Sequence, residues 1–346
     1  MQVTFAETKK NTDINQNVIN RDIMPILPRK IQAFLKGLSN AELAAIEEIR
    51  LRRDKPLLIK NSEGDYYFTH QGKKTTFTTS AYKTSETEIT EILQIVSCGS
   101  IYALEQEFKN GYLTIKGGHR IGFAGEAVVE KGEVKTLKKI SSLNIRVARE
   151  FPGCANTVIP YVINNGKVEH TLIISPPGCG KTTLLRDIVR QLSEGIPRLN
   201  FPGITVGVVD ERSEIAGCCN GVPQHQVGSR TDVLDKCPKA QGMIMLVRSM
   251  SPGVIATDEL GGEQDIKACR EILNAGITLL ATAHGSSVEE VKNRPGLKSL
   301  ISSGTFKRYV ILHRKSGPGK VQDILDSSVN SLLKNSRASL RGDVMW

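Results

Sequence analysis

The chain has 346 residues, 39% hydrophobic and 24% charged, which is enough for two ordinary domains with buried cores and excludes disorder of the whole. No apolar run approaches the ~18 to 20 residues that span a bilayer, and the opening MQVTFAETKK lacks the basic-then-apolar order of a secretion signal, so a cytoplasmic protein is expected. The net charge of +10 is uneven: residues 1–150 carry 23 basic and 18 acidic side chains, 151–291 carry 12 and 15, and 292–346 carry 11 and 3, so basic flanks enclose a slightly acidic middle.

Residues 1–20, polar and rich in Asn and Thr, read as a loose lead-in, and 21–150 as an N-terminal α+β domain with its linker. From Ser39 the run SNAELAAIEEIRLR places a cap residue before apolar and acidic positions, which predicts an amphipathic helix. A second helix is predicted over Ser85 to Val96, again opened by Ser with acidic residues in its first turn. Short β-type runs, PLLIK, DYYFT, GYLTI and HRIGFAG, are separated by turns that carry Gly. KKISSLNIRVAREFP holds one more strand and then a Phe-Pro-Gly break, taken as the linker.

A second domain is expected over 151–330, with 331–346 as a tail. Its apolar strands HTLIIS, ITVGVVD, GVIATD and ITLLATAH alternate with the runs TTLLRDIVRQL, QGMIMLVRSM and DIKACREILNA. Strands apolar on both faces, alternating with helices, predict an α/β fold with a doubly wound, mainly parallel sheet. FKRYVILHR and KVQDIL are expected to finish it as a hairpin. The cysteines at 98, 154, 179, 218, 219, 237 and 269 form no CxxC pair, so reduced thiols are expected rather than a disulfide framework or a zinc knuckle.

Chemistry concentrates in SPPGCGKTT, Ser175 to Thr183, between a predicted strand and a predicted helix. Nucleotide phosphates need convergent backbone N–H donors, a mobile cation and a hydroxyl on magnesium. Pro177, Gly178, Cys179, Gly180, Lys181, Thr182 and Thr183 form the ATP-binding candidate, with Lys181 reaching the β and γ groups and Thr182 on the Mg2+ side. Ser175 stands where the GxxxxGK[ST] pattern has its first glycine, a departure that matters only if the position needs φ > 0. Two acidic pairs follow apolar strands, Asp210-Glu211 and Asp258-Glu259. An Asp at a strand end can hold magnesium and an adjacent Glu can orient or deprotonate water, so Asp258 and Asp210 are metal candidates and Glu259, with Glu211 as the alternative, the catalytic one. Glu263, before a helix, is expected to cap it. Thr282, Ala283 and His284 close the next strand beside the loop, where a polar residue such as His284 can sense the γ-phosphate or couple neighbouring subunits.

The order SPPGCGKTT, VVDERSE, the Arg248-bearing LVRSMSPGVIATDE and TAHG resembles the secretion ATPase superfamily of type II and type IV secretion and pilus motors. Within it, GGHRIGFAGEAV, SSLNIRVARE, PPGCGKTTLLRDIVRQLS, VVDERSEIAG, GVPQ, RTDVLDKCPKAQGM and NAGITLLATAHG resemble the stage III sporulation protein AA family of spore-forming bacteria. In that comparison Asp210 and Glu211 fall on the acidic box, Glu259 on the catalytic glutamate and His284 on the histidine box. Gly253 departs from the usual Pro-Asp pair, and both it and Ser175 are expected beside the phosphate site. The resemblance implies a RecA-like P-loop motor domain, an ATPase of the mother cell on the cytoplasmic face of a membrane, self-assembly into a hexameric ring, and membrane-embedded channel subunits as partners. Ring ATPases complete their sites with a neighbour's cation, so Arg146 and Arg149, then Arg120, Arg212 and Arg230, are the trans-acting candidates. The basic flanks leave a nucleic-acid-stimulated ATPase as the alternative, and a nucleotide-gated scaffold with little turnover as a third reading.

Overall fold

The computed structural model describes residues 18–100, 104–313 and 319–333, so most of the expected lead-in and tail lie outside the described residues. The chain divides into two compact units, one running to Glu150 and including Gly217–Gln224, the other formed by Phe151–Ala216 and the chain from His225 onward.

The first unit is a seven-stranded sheet in the order β4-β3-β2-β1-β7-β6-β5. Its strands are β1 (Ile46–Arg52), β2 (Leu58–Asn61), β3 (Gly64–Phe68), β4 (Lys74–Thr75), β5 (Tyr112–Thr114), β6 (Arg120–Glu130) and β7 (Glu133–Arg146), all antiparallel to their neighbours. Helices Arg29–Lys36 and Glu86–Val96 contribute Ile31, Leu35, Ile89 and Ile92 to the same core as Ile49 and Leu51 of β1. The helix predicted from Ser39 is cut short. It covers only Asn40–Ala45, and IEEIRLR is the central strand β1. Pairing to β2 on one side and β7 on the other satisfies both edges of its backbone, a tertiary gain that overrides helix propensity. The excursion Gly217–Gln224 departs from the expected division of the chain: Cys219 and Val222 exchange both backbone bonds across Asn220-Gly221, each with φ > 0, as a tight hairpin turn requires.

The second unit opens on a small ribbon, β8 (Ile163–Asn164) with β9 (Lys167–Val168). Its main sheet contains β10 (Thr171–Ser175), β11 (Val206–Asp210), β12 (Thr231–Asp235), β13 (Val254–Thr257), β14 (Thr278–His284), β15 (Arg308–Leu312) and β16 (Val321–Leu325), in the order β12-β11-β13-β14-β10-β15-β16. All neighbours are parallel except the β15–β16 hairpin. Every residue of β10, β11 and β13 is buried, and helices Lys181–Glu194, Lys239–Met250 and Glu263–Asn274 supply the crossovers that parallel strands require. Strand β12 escapes the sequence pattern because its residues TDVLD are half-exposed at the sheet's edge, with no apolar run to mark them. Because the strands run in parallel, Ser175, Asp210, Thr257 and His284 all finish at one edge, where open α/β sheets place their ligands.

Candidate functional site

The loop after β10 turns on two glycines in the left-handed region, Gly178 at φ +73° and Gly180 at φ +86°. A Cβ at Gly178 would meet nothing within 4 Å, so the loop borders open space. Pro177 and Gly178 are exposed, Cys179 is buried with its thiol toward the Pro177 carbonyl, and Lys181 begins the helix that carries Thr182 and Thr183. Ser175 is the last residue of β10 with ordinary strand backbone, so the position does not need glycine, and its hydroxyl donates to the Pro176 carbonyl at 2.9 Å.

Lys181 is buried at 6% exposure, and Nζ lies 3.1 Å from His284 Nδ1. Among the described residues no carboxylate pairs with it. An ammonium only donates, so Nδ1 accepts and His284 carries its proton on Nε2, which points at Glu259 Oε1 at 2.6 Å. The other Glu259 oxygen meets Arg212 Nη1 at 3.0 Å. Asp258 turns Oδ2 to the Thr182 hydroxyl at 2.6 Å and Oδ1 to the Thr282 hydroxyl. Thus Lys181, Thr182, Asp258, Glu259 and His284, drawn from three separate stretches of sequence, form one hydrogen-bonded constellation. Hydroxyl and carboxylate oxygens are the hard donors that suit magnesium, so Thr182 and Asp258 fit such an ion, and the uncompensated Lys181 fits an anion beside it.

The first acidic pair has other work. Asp210, expected at the metal, is committed to its own loop: Oδ1 accepts from Glu214 N at 2.8 Å and Oδ2 from Ile215 N and Ala216 N at 3.0 and 2.8 Å. Burial raises its pKa, with the three backbone donors opposing. Arg186, a buried helix residue that sequence reasoning misses, donates to the carbonyls of Glu214 and Ile215, so the loop is gripped through both its donors and its acceptors. A charged Arg-Asp step inside the otherwise apolar face of LLRDIVRQL is the available signal. Glu211 is paired with Lys239, a partner likewise missed.

Two smaller expectations are corrected. The helix at Glu263 is capped not by Glu263 but by Asp265, whose carboxylate accepts from Gly262 N at 3.2 Å. Gly253 lies at the opposite edge of the sheet, where its N–H donates to Thr205 and its carbonyl accepts from Thr278, just before β11 and within the start of β14. A Cβ there would sit 2.4 Å from Ile204 Cδ1, so the aspartate of the usual pair would require the Ile204 side chain to move.

The arginine candidates are scattered. Arg212 is in this site, on Glu259 of its own chain. Arg230 donates to the Ser193 carbonyl at 2.7 Å. In the first unit Arg120 lies 4.1 Å above the Tyr112 ring and is the cross-strand partner of exposed Arg146. Arg149 Nη2 donates to the Ile46 carbonyl at 2.8 Å, and burial lowers its pKa.

The strand order and the edge on which these side chains gather define a RecA-like α/β fold. It is shared with the Legionella pneumophila ATPase DotB (17% identical, 82% of this chain and 76% of that one, TM-score 0.52) and with the pilus retraction motor PilT solved with bound ADP (12% identical, 86% and 83%, TM-score 0.53). In sequence, the family described as sporulation stage III, protein AA, matches residues 17–332, and the chain belongs to that family. It is 42% identical to the stage III sporulation protein AA of Bacillus subtilis (strain 168) over 315 residues, 91% of this chain and 98% of that protein.

Proposed function

We propose that this chain binds ATP with Mg2+ and hydrolyses it as an oligomeric motor of the secretion ATPase type, energising transport or assembly at a channel between mother cell and forespore. One observation carries the reading: Lys181, buried at the start of a helix, behind a loop turned by two left-handed glycines, with no carboxylate paired to it among the described residues. A buried ammonium without a counter-charge is costly, and the β and γ phosphates are the anions that such a strand–loop–helix receives.

Magnesium, when bound, supplies a Lewis acid that draws charge from the phosphate oxygens. Thr182 and Asp258 would hold it, opening the 2.6 Å bond that now joins them. Glu259 lies beside this pair and, once free of Arg212, would align and deprotonate the attacking water. His284, between Lys181 and Glu259, would register that a phosphate has drawn Lys181 away.

Membership of a sporulation family and the motor fold support a place in the mother cell, on the cytoplasmic face of a membrane, as a ring of copies, hexameric in this reading, working with membrane-embedded subunits. Among the described residues no helix is long and apolar enough to cross a membrane, so attachment would be peripheral. The deciding test is steady-state ATPase activity of the pure protein, with and without Mg2+, DNA and lipid. Mg2+-dependent turnover indifferent to DNA is expected. DNA-stimulated turnover that collapses with salt would move the protein to the nucleic-acid class, and tight binding without turnover to the scaffold reading.

A further inference from the structure

Strand β14 is apolar along its buried length, Leu279, Leu280, Ala281 and Ala283, except at Thr282, which is fully buried. A valine would match it in shape and suit a central strand better, so the hydroxyl needs an explanation of its own. It donates to Asp258 Oδ1 and accepts the Glu259 N–H at 2.9 Å, while the Thr282 carbonyl accepts the Leu260 N–H, also at 2.9 Å. Three successive residues of the acidic corner therefore bond to one threonine, which also holds the Asp258 Oδ1 that shares the Glu259 N–H at 3.0 Å. The middle one, Glu259, sits at φ +52°, a left-handed conformation uncommon for residues other than glycine.

We infer that Thr282 is a positioning residue that sets both carboxylates of the corner before any substrate arrives, an inference that rests on the ATPase reading above. With Oδ1 taken by Thr282, Asp258 presents one oxygen, Oδ2, toward Thr182. With its N–H held, Glu259 is turned so that its carboxylate meets His284 at 2.6 Å. Thr282 touches neither metal nor nucleotide in this scheme. It acts through the two residues that do.

The test compares Thr282→Val with Thr282→Ser in the full chain. In Thr282→Val the Glu259 amide, read by residue-resolved hydrogen exchange without nucleotide, should exchange faster. The Leu260 amide, bonded to a carbonyl that both variants keep, should not change and serves as the internal control. ATP binding without Mg2+ should stay within about twofold. The Mg2+ concentration that half-maximally tightens binding of a fluorescent ATP analogue should rise roughly 10 to 100-fold, the range for losing a group that orients a metal ligand. Turnover should fall by a similar factor through kcat, with KM at saturating Mg2+ little changed, and Thr282→Ser should restore every value to within about threefold. Unaltered Glu259 exchange and Mg2+ dependence in Thr282→Val would overturn the inference, as would a serine variant as defective as valine, which would assign the effect to the lost methyl. If the valine variant does not fold, the serine variant decides by itself: it must keep wild-type Mg2+ dependence. A wild type without turnover would defeat the ATPase reading, while amide exchange and Mg2+-dependent binding would still decide the role of Thr282.

Discussion

Lys181 is the side chain on which the phosphate loop depends, because it is buried and the group it meets is a neutral imidazole nitrogen. Lys181→Ala should cost on the order of 2 to 4 kcal/mol of nucleotide affinity, the scale of charge-assisted hydrogen bonds removed from a dry site. Calorimetric titration with ATP checks this, and unchanged affinity would remove the assignment. Chemistry divides from binding at Glu259. Glu259→Gln keeps size and reach but loses the charge that would activate water, so ATP should bind as before while turnover falls roughly 10² to 10⁴-fold. Glu211→Gln is the control, since Glu211 is tied to Lys239, and it should leave turnover within a fewfold of wild type; a loss confined to that variant would move the catalytic role to the first acidic strand. At Ser175 ordinary strand backbone makes the departure from glycine neutral, so Ser175→Gly should match the parent in both affinity and turnover. Residue types and their spacing make Lys181, Thr182, Asp258 and His284 legible in the sequence. The burial of Asp210 against its own loop is not, because three backbone donors leave no trace in a string of letters.

Among the elements, the short helix Asn40–Ala45 shows how local and tertiary signals part company. Its start is readable: the Ser39 hydroxyl and the Glu42 carboxylate form a reciprocal capping box. Its end is not, because IEEIRLR suits a helix by composition and becomes β1 through pairing that sequence periodicity does not encode, although the alternation Ile49-Arg50-Leu51-Arg52 has the period of a strand. The same box gives a pH prediction. Lys74, then Ser39, hold the Glu42 carboxyl down at about 2, against an ordinary 4.5. A depressed carboxylate contributes stability above its unfolded value and loses it as pH falls through its folded value, so the contribution should be full at neutral pH and disappear between about pH 5 and 2. Chemical denaturation of wild type and Glu42→Gln should show a gap in midpoint at pH 7 that closes toward pH 2. Because the pair with Lys74 is partly exposed, salt should narrow the gap as well. A gap independent of pH would mean that the effect comes from the backbone bond, which the amide could keep.

Across the whole molecule, the alternation of apolar strands with helices exposes the parallel sheet and the edge where the motifs meet, whereas the excursion Gly217–Gln224 into the first unit has no local pattern to betray it. Charge at that edge then bears on assembly. The cavity there is lined by Asp210, Glu211, Glu214, Asp258 and Glu259, while its cations Arg212 and Lys239 are each held by one of these carboxylates. Lys181 beside it has no carboxylate partner among the described residues, and one ammonium does not balance the charge that spreads over a terminal phosphate as it transfers. If a second copy supplies the missing cation, as in the oligomer proposed above, a lone chain is an incomplete enzyme. Specific ATPase activity should therefore rise with protein concentration, over the same range in which sedimentation shows oligomers forming. Activity per chain that stays constant from monomer to oligomer would mean that the site is complete in one copy, and would assign the transferring charge to Arg212 after its release from Glu259.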